Sequence, residues 1–174
     1  MEFEEVVRLR RSCRKYTDKQ VSDEDLQKIL DAAQLAPIAG GDYSMTHITV
    51  VQDGSFLKEI DEACEIVTPS GKRILPLYGA PTIIVLSVTG PSKDSIEYSN
   101  VGCAIENMTL EATNLGLGSV YLWGWLHKLR KQPELIAKFN LPEGYSIISA
   151  MAVGYAADPA TPREPEEKIA VDRM

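Results

Sequence analysis

The chain has 174 residues and a mass of 19.2 kDa, enough for a single domain with a substantial core. Its 44% hydrophobic and 25% charged residues suit a folded globular protein, and no apolar run approaches the roughly 20 residues of a membrane-spanning helix. A formal net charge of -7 with a pI near 4.9 argues against a protein that tracks a nucleic-acid backbone.

In chain order, Phe3, Val6, Val7 and Arg10 recur at helical spacing and predict a helix near residues 2 to 11. The opening MEFEEVVRLRR mixes acids and bases without an apolar centre, so no secretory leader is expected. Basic residues then crowd together: Arg8, Arg10, Arg11, Arg14 and Lys15 are five of the 18 Lys and Arg, all within the first fifteen positions. An anion that neutralises them holds such a cluster together most easily. Arginine forks beside the Ser12 hydroxyl are suited to gripping a phosphate with fixed geometry. A local phosphate pocket tolerates an acidic surround, whereas a long electrostatic footprint does not. A solvated basic face is the plain alternative. Cys13, a thiol among arginines, is a candidate for raised reactivity.

Ser22 followed by Asp23-Glu24-Asp25 reads as an N-cap with acids in the first turn, opening a helix through Leu26, Ile29, Leu30 and Ala33 that Pro37 stops. Ala39-Gly40-Gly41-Asp42 is a loop whose glycines let backbone approach a ligand. A short strand is predicted at His47 to Val51, then a helix from Ser55 to Val67, broken by Thr68-Pro69-Ser70-Gly71. Thr82 to Val88 is the near-continuous apolar run of a central strand covered on both faces. The longest helix is expected from about Ser95 to Leu115, with Gly102, Ala104 and Ala112 small enough for a close neighbour, either the sheet or a partner helix. Gly116-Leu117-Gly118-Ser119 ends it and leads to a strand at Val120 to Leu122. Pro133 opens a short helix to Phe139, and Ser146 to Val153 is the last strong strand. The stretch from Ala156 to Met174, rich in proline and charge, either extends into solvent or wraps a second subunit. Cys13, Cys64 and Cys103 show no CxxC spacing, and with His47 and His127 they form no metal-ligand pattern. Incidental or buried thiols in a reducing cytoplasm are the expectation.

Six segments in this order resemble the FMN-dependent nitroreductase family. They are Arg10-Arg11-Ser12-x-Arg14-x-Tyr16, Leu35-Ala36-Pro37-Ile38-Ala39, Gly79-Ala80-Pro81-Thr82-Ile83-Ile84-Val85, and Glu106-Asn107-Met108 with Leu115 to Ser119. Leu141 to Tyr145 with Val153-Gly154-Tyr155, and finally Arg163, complete the set. The resemblance implies one α+β domain over residues 1–174, an α/β sandwich with a mixed, mainly antiparallel sheet flanked by helices. It further implies a domain-exchanged homodimer, with residues from about 156 to 174 packing on the partner subunit.

For the site, the resemblance implies FMN held by Arg10, Arg11, Ser12, Arg14 and the late Arg163. The Pro37, Ile38, Ala39 and Gly41 segment would touch the partner's flavin, and Leu122, Trp123 and Gly124 would run beneath the ring. NADH or NADPH would be the electron donor, in alternation with a small electron-poor acceptor such as a nitroaromatic or a quinone. No catalytic side chain and no metal are then required, because the chemistry lies on the flavin. A non-catalytic FMN carrier or sensor, or a reductive dehalogenase-like enzyme, are the alternatives on the same fold. Two departures stand out. Gly41, Tyr43, Ser44 and Met45 occupy places where the family often has Asn and Gln before Pro-Trp, and Thr161 stands where a Lys usually precedes the late Arg.

Overall fold

The computed structural model describes residues 1–90 and 94–174. The elements follow in the order α1 (Phe3–Leu9), α2 (Asp23–Gln34), β1 (Thr46–Val51), α3 (Gly54–Ala63), β2 (Ile66–Val67), β3 (Arg73–Ile74), β4 (Thr82–Thr89), α4 (Ile96–Asn114), β5 (Gly118–Leu122), α5 (Leu126–Leu129), α6 (Pro133–Ala137) and β6 (Tyr145–Gly154). Single 3-10 turns at Ala39–Gly41 and Tyr43–Met45 lie between α2 and β1. The caps are those the sequence advertises. The Ser22 side chain accepts from Asp25 N at the start of α2, and Asp53 accepts from Phe56 N at the start of α3. Pro133 stands in the first turn of α6.

Four strands form the main sheet in the order β1-β4-β6-β5, every neighbour antiparallel. β4 is central, and its first seven residues are buried. Ile83 and Val85 point to the layer of α3, α5 and α6, while Ile84, Leu86 and Val88 point to the layer of α2 and α4. Burying each such aliphatic side chain contributes about 1.5–3 kcal/mol, so a strand covered on both faces anchors the domain. β6 keeps the same two-sided burial but changes phase. Ile147 joins the α3 layer and Ile148 the α4 layer, after which Ala150 and Ala152 return to the α3 side. The register shift opposite Leu86 and Ser87 supplies the extra residue, a β-bulge that swaps the faces.

Two expectations need correction. The helix predicted to reach Val67 ends at Ala63, and Ile66 and Val67 instead pair with Ile74 and Arg73 across the Thr68–Gly71 turn. Two β-branched residues followed by Thr68 and Pro69 favour extended backbone over another helical turn. The sequence reading also missed α5, a single turn too short to display a hydrophobic period. The mainly antiparallel sheet that was expected is found, and every pair among its four described strands is antiparallel. A parallel element enters only as the isolated bridge between Ser12 and Ser119.

The tail divides in two. Up to residue 164 it runs back along the chain's own basic segment to the end of α1, from the Tyr16 bridge at Ala156 to Arg163 N donating to the Arg8 carbonyl (3.0 Å) and Arg8 paired with Glu164 (2.7 Å). Beyond that it is exposed, including Ile169 and Val171. No helix among the described residues is long and apolar enough to cross a membrane.

Candidate functional site

After α1 the basic segment leaves the helix and is clamped by backbone at two points. Ser12 bridges to Ser119 on β5, where Cys13 N donates to the Ser119 carbonyl (2.8 Å). Thr17 N donates to the Tyr155 carbonyl (2.9 Å), and Ala157 N donates to that of Lys15 (3.0 Å), just past the end of β6. Tyr16 adds an internal strut, its hydroxyl donating to the Cys13 carbonyl (3.1 Å). Burial pushes the Tyr16 phenol well above its ordinary range, so it stays a neutral donor. Gly118 makes this approach possible: a Cβ there would lie 2.7 Å from Cys13 Sγ and 3.1 Å from Ala156 Cβ.

Because the backbone does the fastening, the side chains are left over. Arg11, Ser12, Arg14 and Lys15 line a cavity of about 550 Å³ with Gly116, Gly118 and Tyr155. Its one lining carboxylate, Asp158, stands 3.9 Å from Lys15. Among the described residues Arg11 donates to neutral oxygens of Thr161, the carbonyl at 2.9 Å and the hydroxyl at 3.3 Å. Arg14 makes no ion pair among the described residues, and its guanidinium sits 5.8 Å from the Tyr78 ring centroid. Two arginines without carboxylate partners among the described residues, in a chain of net charge -7, leave a local positive potential at the cavity. The Ser119 hydroxyl at the foot of the segment is buried and has no hydrogen-bond partner among the described residues.

The remaining predicted residues lie apart from this cavity. Arg10 is turned toward Glu106 on α4 (3.9 Å), and Arg163 donates to the Arg10 carbonyl (2.5 Å), bracing the basic segment. Thr161, at the place of the expected Lys, anchors Arg11. Pro37, Ile38, Ala39 and Gly41 form a separate loop beside α4, where Ala39 N donates to Asn100 Oδ1 (3.0 Å). Leu122 is buried in the α3-side core. Trp123 is 47% exposed, with its ring 5.9 Å from that of Tyr98 on α4. Gly124 is exposed, and a Cβ there would lie 3.4 Å from Ile66.

Sequence reasoning passed over Tyr98 and Asn100, the α4 residues that meet Trp123 and Ala39, and named Glu106, which meets Arg10, only as part of the long-helix segment. Their signal was a polar or aromatic group on an otherwise small-residue helix face, legible only once the partners are known. On α4, Ala104 and Ala112 are buried within this chain, while Cys103 is exposed and Gly102 half-buried. The buried Cys64 thiol is pushed up to about 11 by desolvation and then by the charge of Asp61, which makes it a poor nucleophile. Neither His47 nor His127 lines the cavity, and no metal-competent cluster occurs among the described residues.

Comparison with known proteins gives this arrangement a family. The Nitroreductase family model matches residues 7–155, most of the chain. The protein belongs to the nitroreductase family. An Archaeoglobus fulgidus relative, provisionally named NADH dehydrogenase/NAD(P)H nitroreductase, is 32% identical over 173 residues, covering 97% of this chain and 94% of its own. The Bacillus subtilis FMN reductase [NAD(P)H] is 28% identical over 91% of this chain and 68% of its own. Among solved structures, a nitroreductase with bound FMN from Bacteroides fragilis matches with a TM-score of 0.81 at 29% identity, over 99% of this chain and 100% of that one. The α+β architecture read from the sequence is therefore that of nitroreductases.

Proposed function

We propose that this nitroreductase-family protein binds FMN and uses NADH or NADPH to reduce small electron-poor acceptors, nitroaromatics or quinones among them. The observation that carries the reading is the cavity at the basic segment, where Arg11 and Arg14 have no carboxylate partner among the described residues. A cavity of about 550 Å³ lies within the roughly 300–1,000 Å³ of small-molecule and cofactor sites. A phosphate monoester of charge about -1.5 to -2 is the complement that two unpaired guanidiniums and a serine hydroxyl call for. The residues present thus fit the cofactor carried by the Bacteroides fragilis nitroreductase.

When bound, FMN supplies the acceptance and onward transfer of hydride equivalents. The chain's part is to bind and orient. Arg11, Arg14 and Ser12 neutralise and hydrogen-bond the phosphate end, while Arg10 and Arg163 hold the segment's backbone in place. Trp123 and Gly124 present one apolar face and one bare stretch of backbone at the exposed end of β5. The loop of Pro37, Ile38, Ala39 and Gly41 completes the site of a second copy in a homodimer, assisted by the exposed tail residues beyond 164. The exposed α4 positions, Cys103 among them, are the surface left for that partner helix. Such a dimer would work in the cytoplasm as one domain per subunit, without metal or nucleic acid.

The test is an absorbance spectrum of the purified protein, before and after anaerobic NADH or NADPH. Flavin absorbance that bleaches within seconds is the expected result. Flavin that stays oxidised would point to the carrier reading, and a colourless protein that cannot be loaded with FMN would overturn the assignment.

A further inference from the structure

The segment from Ala36 to Met45 holds no regular secondary structure beyond two 3-10 turns, yet it is tied down at almost every step. Gly41 N donates to the Ile38 carbonyl (2.9 Å), and the Tyr43 hydroxyl donates to that of Ala36 (2.9 Å). Asp42 accepts from both Ser44 N (3.1 Å) and the Ser44 hydroxyl (2.5 Å), and the Tyr145 hydroxyl donates to the Ser44 carbonyl (2.6 Å). Asn100 on α4 takes the remaining strategic bond, its Oδ1 accepting from Ala39 N (3.0 Å). Next to that bond Gly40 and Gly41 stand at φ +73 and +69, the left-handed region, with no atom within 4 Å of where a Cβ would be. The glycines are therefore required by backbone conformation and not by crowding.

A loop with no task could remain loose and keep its conformational entropy. This one is exposed, with Leu35, Tyr43 and Met45 at its flanks open to solvent, and is still preset by side chains borrowed from α4 and β6. Preorganisation of that kind lowers the cost of binding a ligand. It also answers the missing Asn and Gln. Where those amides are replaced by Gly41 and Tyr43, the loop can meet a ligand through backbone held in place from behind.

We propose that Asn100 is a positioning residue that presets the Pro37–Gly41 loop as a backbone contact for the flavin site. The proposal rests on the FMN-binding reading above. Asn100 itself touches no ligand; it acts through the Ala39 amide. The neighbouring α4 residue Tyr98 contacts Trp123, so the first turns of α4 place both the loop and the aromatic end of β5.

The test compares the FMN-loaded wild type with Asn100→Leu, which removes the acceptor, and Asn100→Asp, which keeps an oxygen for Ala39 N. FMN released on dilution gives the dissociation constant, and hydrogen exchange reports on the amides of residues 36 to 41. Asn100→Leu is expected to weaken FMN retention about tenfold, the loss of a single positioned hydrogen bond, and to speed exchange in the loop while the β4 and β6 amides stay protected. Asn100→Asp is expected to restore both. Unchanged retention and exchange in Asn100→Leu would overturn the proposal while leaving the FMN assignment intact. If Asn100→Leu fails to fold, Asn100→Ala, which removes the acceptor without adding bulk, decides: fast loop exchange supports the brace, and exchange as slow as in the wild type overturns it. A wild type that takes up no FMN would overturn both readings.

Discussion

The basic segment from Arg10 to Tyr16 and the loop from Ala36 to Met45 solve opposite problems. The first is fastened by its backbone, through the Ser12 bridge to Ser119 and the Thr17 and Ala157 amides, so its side chains remain free to carry charge. The second is fastened by side chains from elsewhere, Asn100 and Tyr145, assisted by its own Tyr43, so Gly40 and Gly41, whose Cβ positions meet nothing within 4 Å, leave that stretch open. A phosphate needs guanidiniums with fixed forks, and the polar edge of a flat ring is well met by backbone amides. On the proposed function, the first segment serves the phosphate and the second the ring, each braced with what that ligand does not use.

If the first segment works through side chains, reversing one charge should act on ligand and not on fold. Arg14→Glu is expected to weaken FMN binding on the order of 30- to 100-fold, the loss of a charge-assisted contact plus repulsion. Without FMN, the melting temperature should stay close to that of the wild type, because Arg14 has no ion pair among the described residues and only its contact with the Tyr78 ring to lose. A large drop in thermal stability with unchanged FMN retention would break the comparison.

If its backbone clamp matters, Gly118→Ala should act on both. The new methyl meets Cys13 Sγ at 2.7 Å and Cys13 Cβ at 2.9 Å, close to the main chain and with little room to move. Overpacking of this kind costs about 1–3 kcal/mol, to be read by urea denaturation together with loss of bound FMN. In the second segment, Gly40→Ala meets no neighbour but keeps the left-handed φ. The expected loss is about 1–2 kcal/mol in the same assay, with the core amides unaffected in hydrogen exchange. An alanine tolerated without cost would show that the loop is not held in that conformation.

The smallest effect falls outside both segments and serves as their control. Asp61 on α3 is buried, and desolvation raises its carboxyl above the ordinary range, partly offset by the bond it accepts from Leu77 N (2.7 Å). The folded state then holds this proton more tightly than the unfolded chain does. Stability from this group is present at acid pH and falls as pH rises through the raised folded value. Asp61→Asn keeps an acceptor for Leu77 N and removes the titration. Its denaturation free energy should match the wild type near pH 3 and exceed it modestly at pH 7, with FMN retention unchanged. An advantage that shrinks with rising pH would contradict the sign.

Much was legible in the residues alone. Ser22 and Asp23 to Asp25 announce the start of α2, and Pro37 bars its continuation. The run from Thr82 to Val88, short, rich in β-branched residues and preceded by Pro81, suits a strand buried on both faces. The clustered arginines stood out because like charges side by side in an acidic chain require an explanation. These features are local: capping, φ restriction and burial pattern act within a few residues, and one chain segment carries all the information.

The tertiary structure decided what depends on distant partners. No local rule says that Gly118 exists to admit Cys13, that Arg11 reaches Thr161 some 150 positions away, or that Asn100 holds Ala39. The end of α3 at Ala63 and the pairing of Ile66 with Ile74 likewise follow from a hairpin that closes across a turn. The β-bulge in β6 is invisible in sequence because both phases of that strand are apolar, and only pairing with β4 shows where they switch. Local energies choose the elements; contacts that close long loops choose which side chains are consumed in holding the fold and which are left for a ligand.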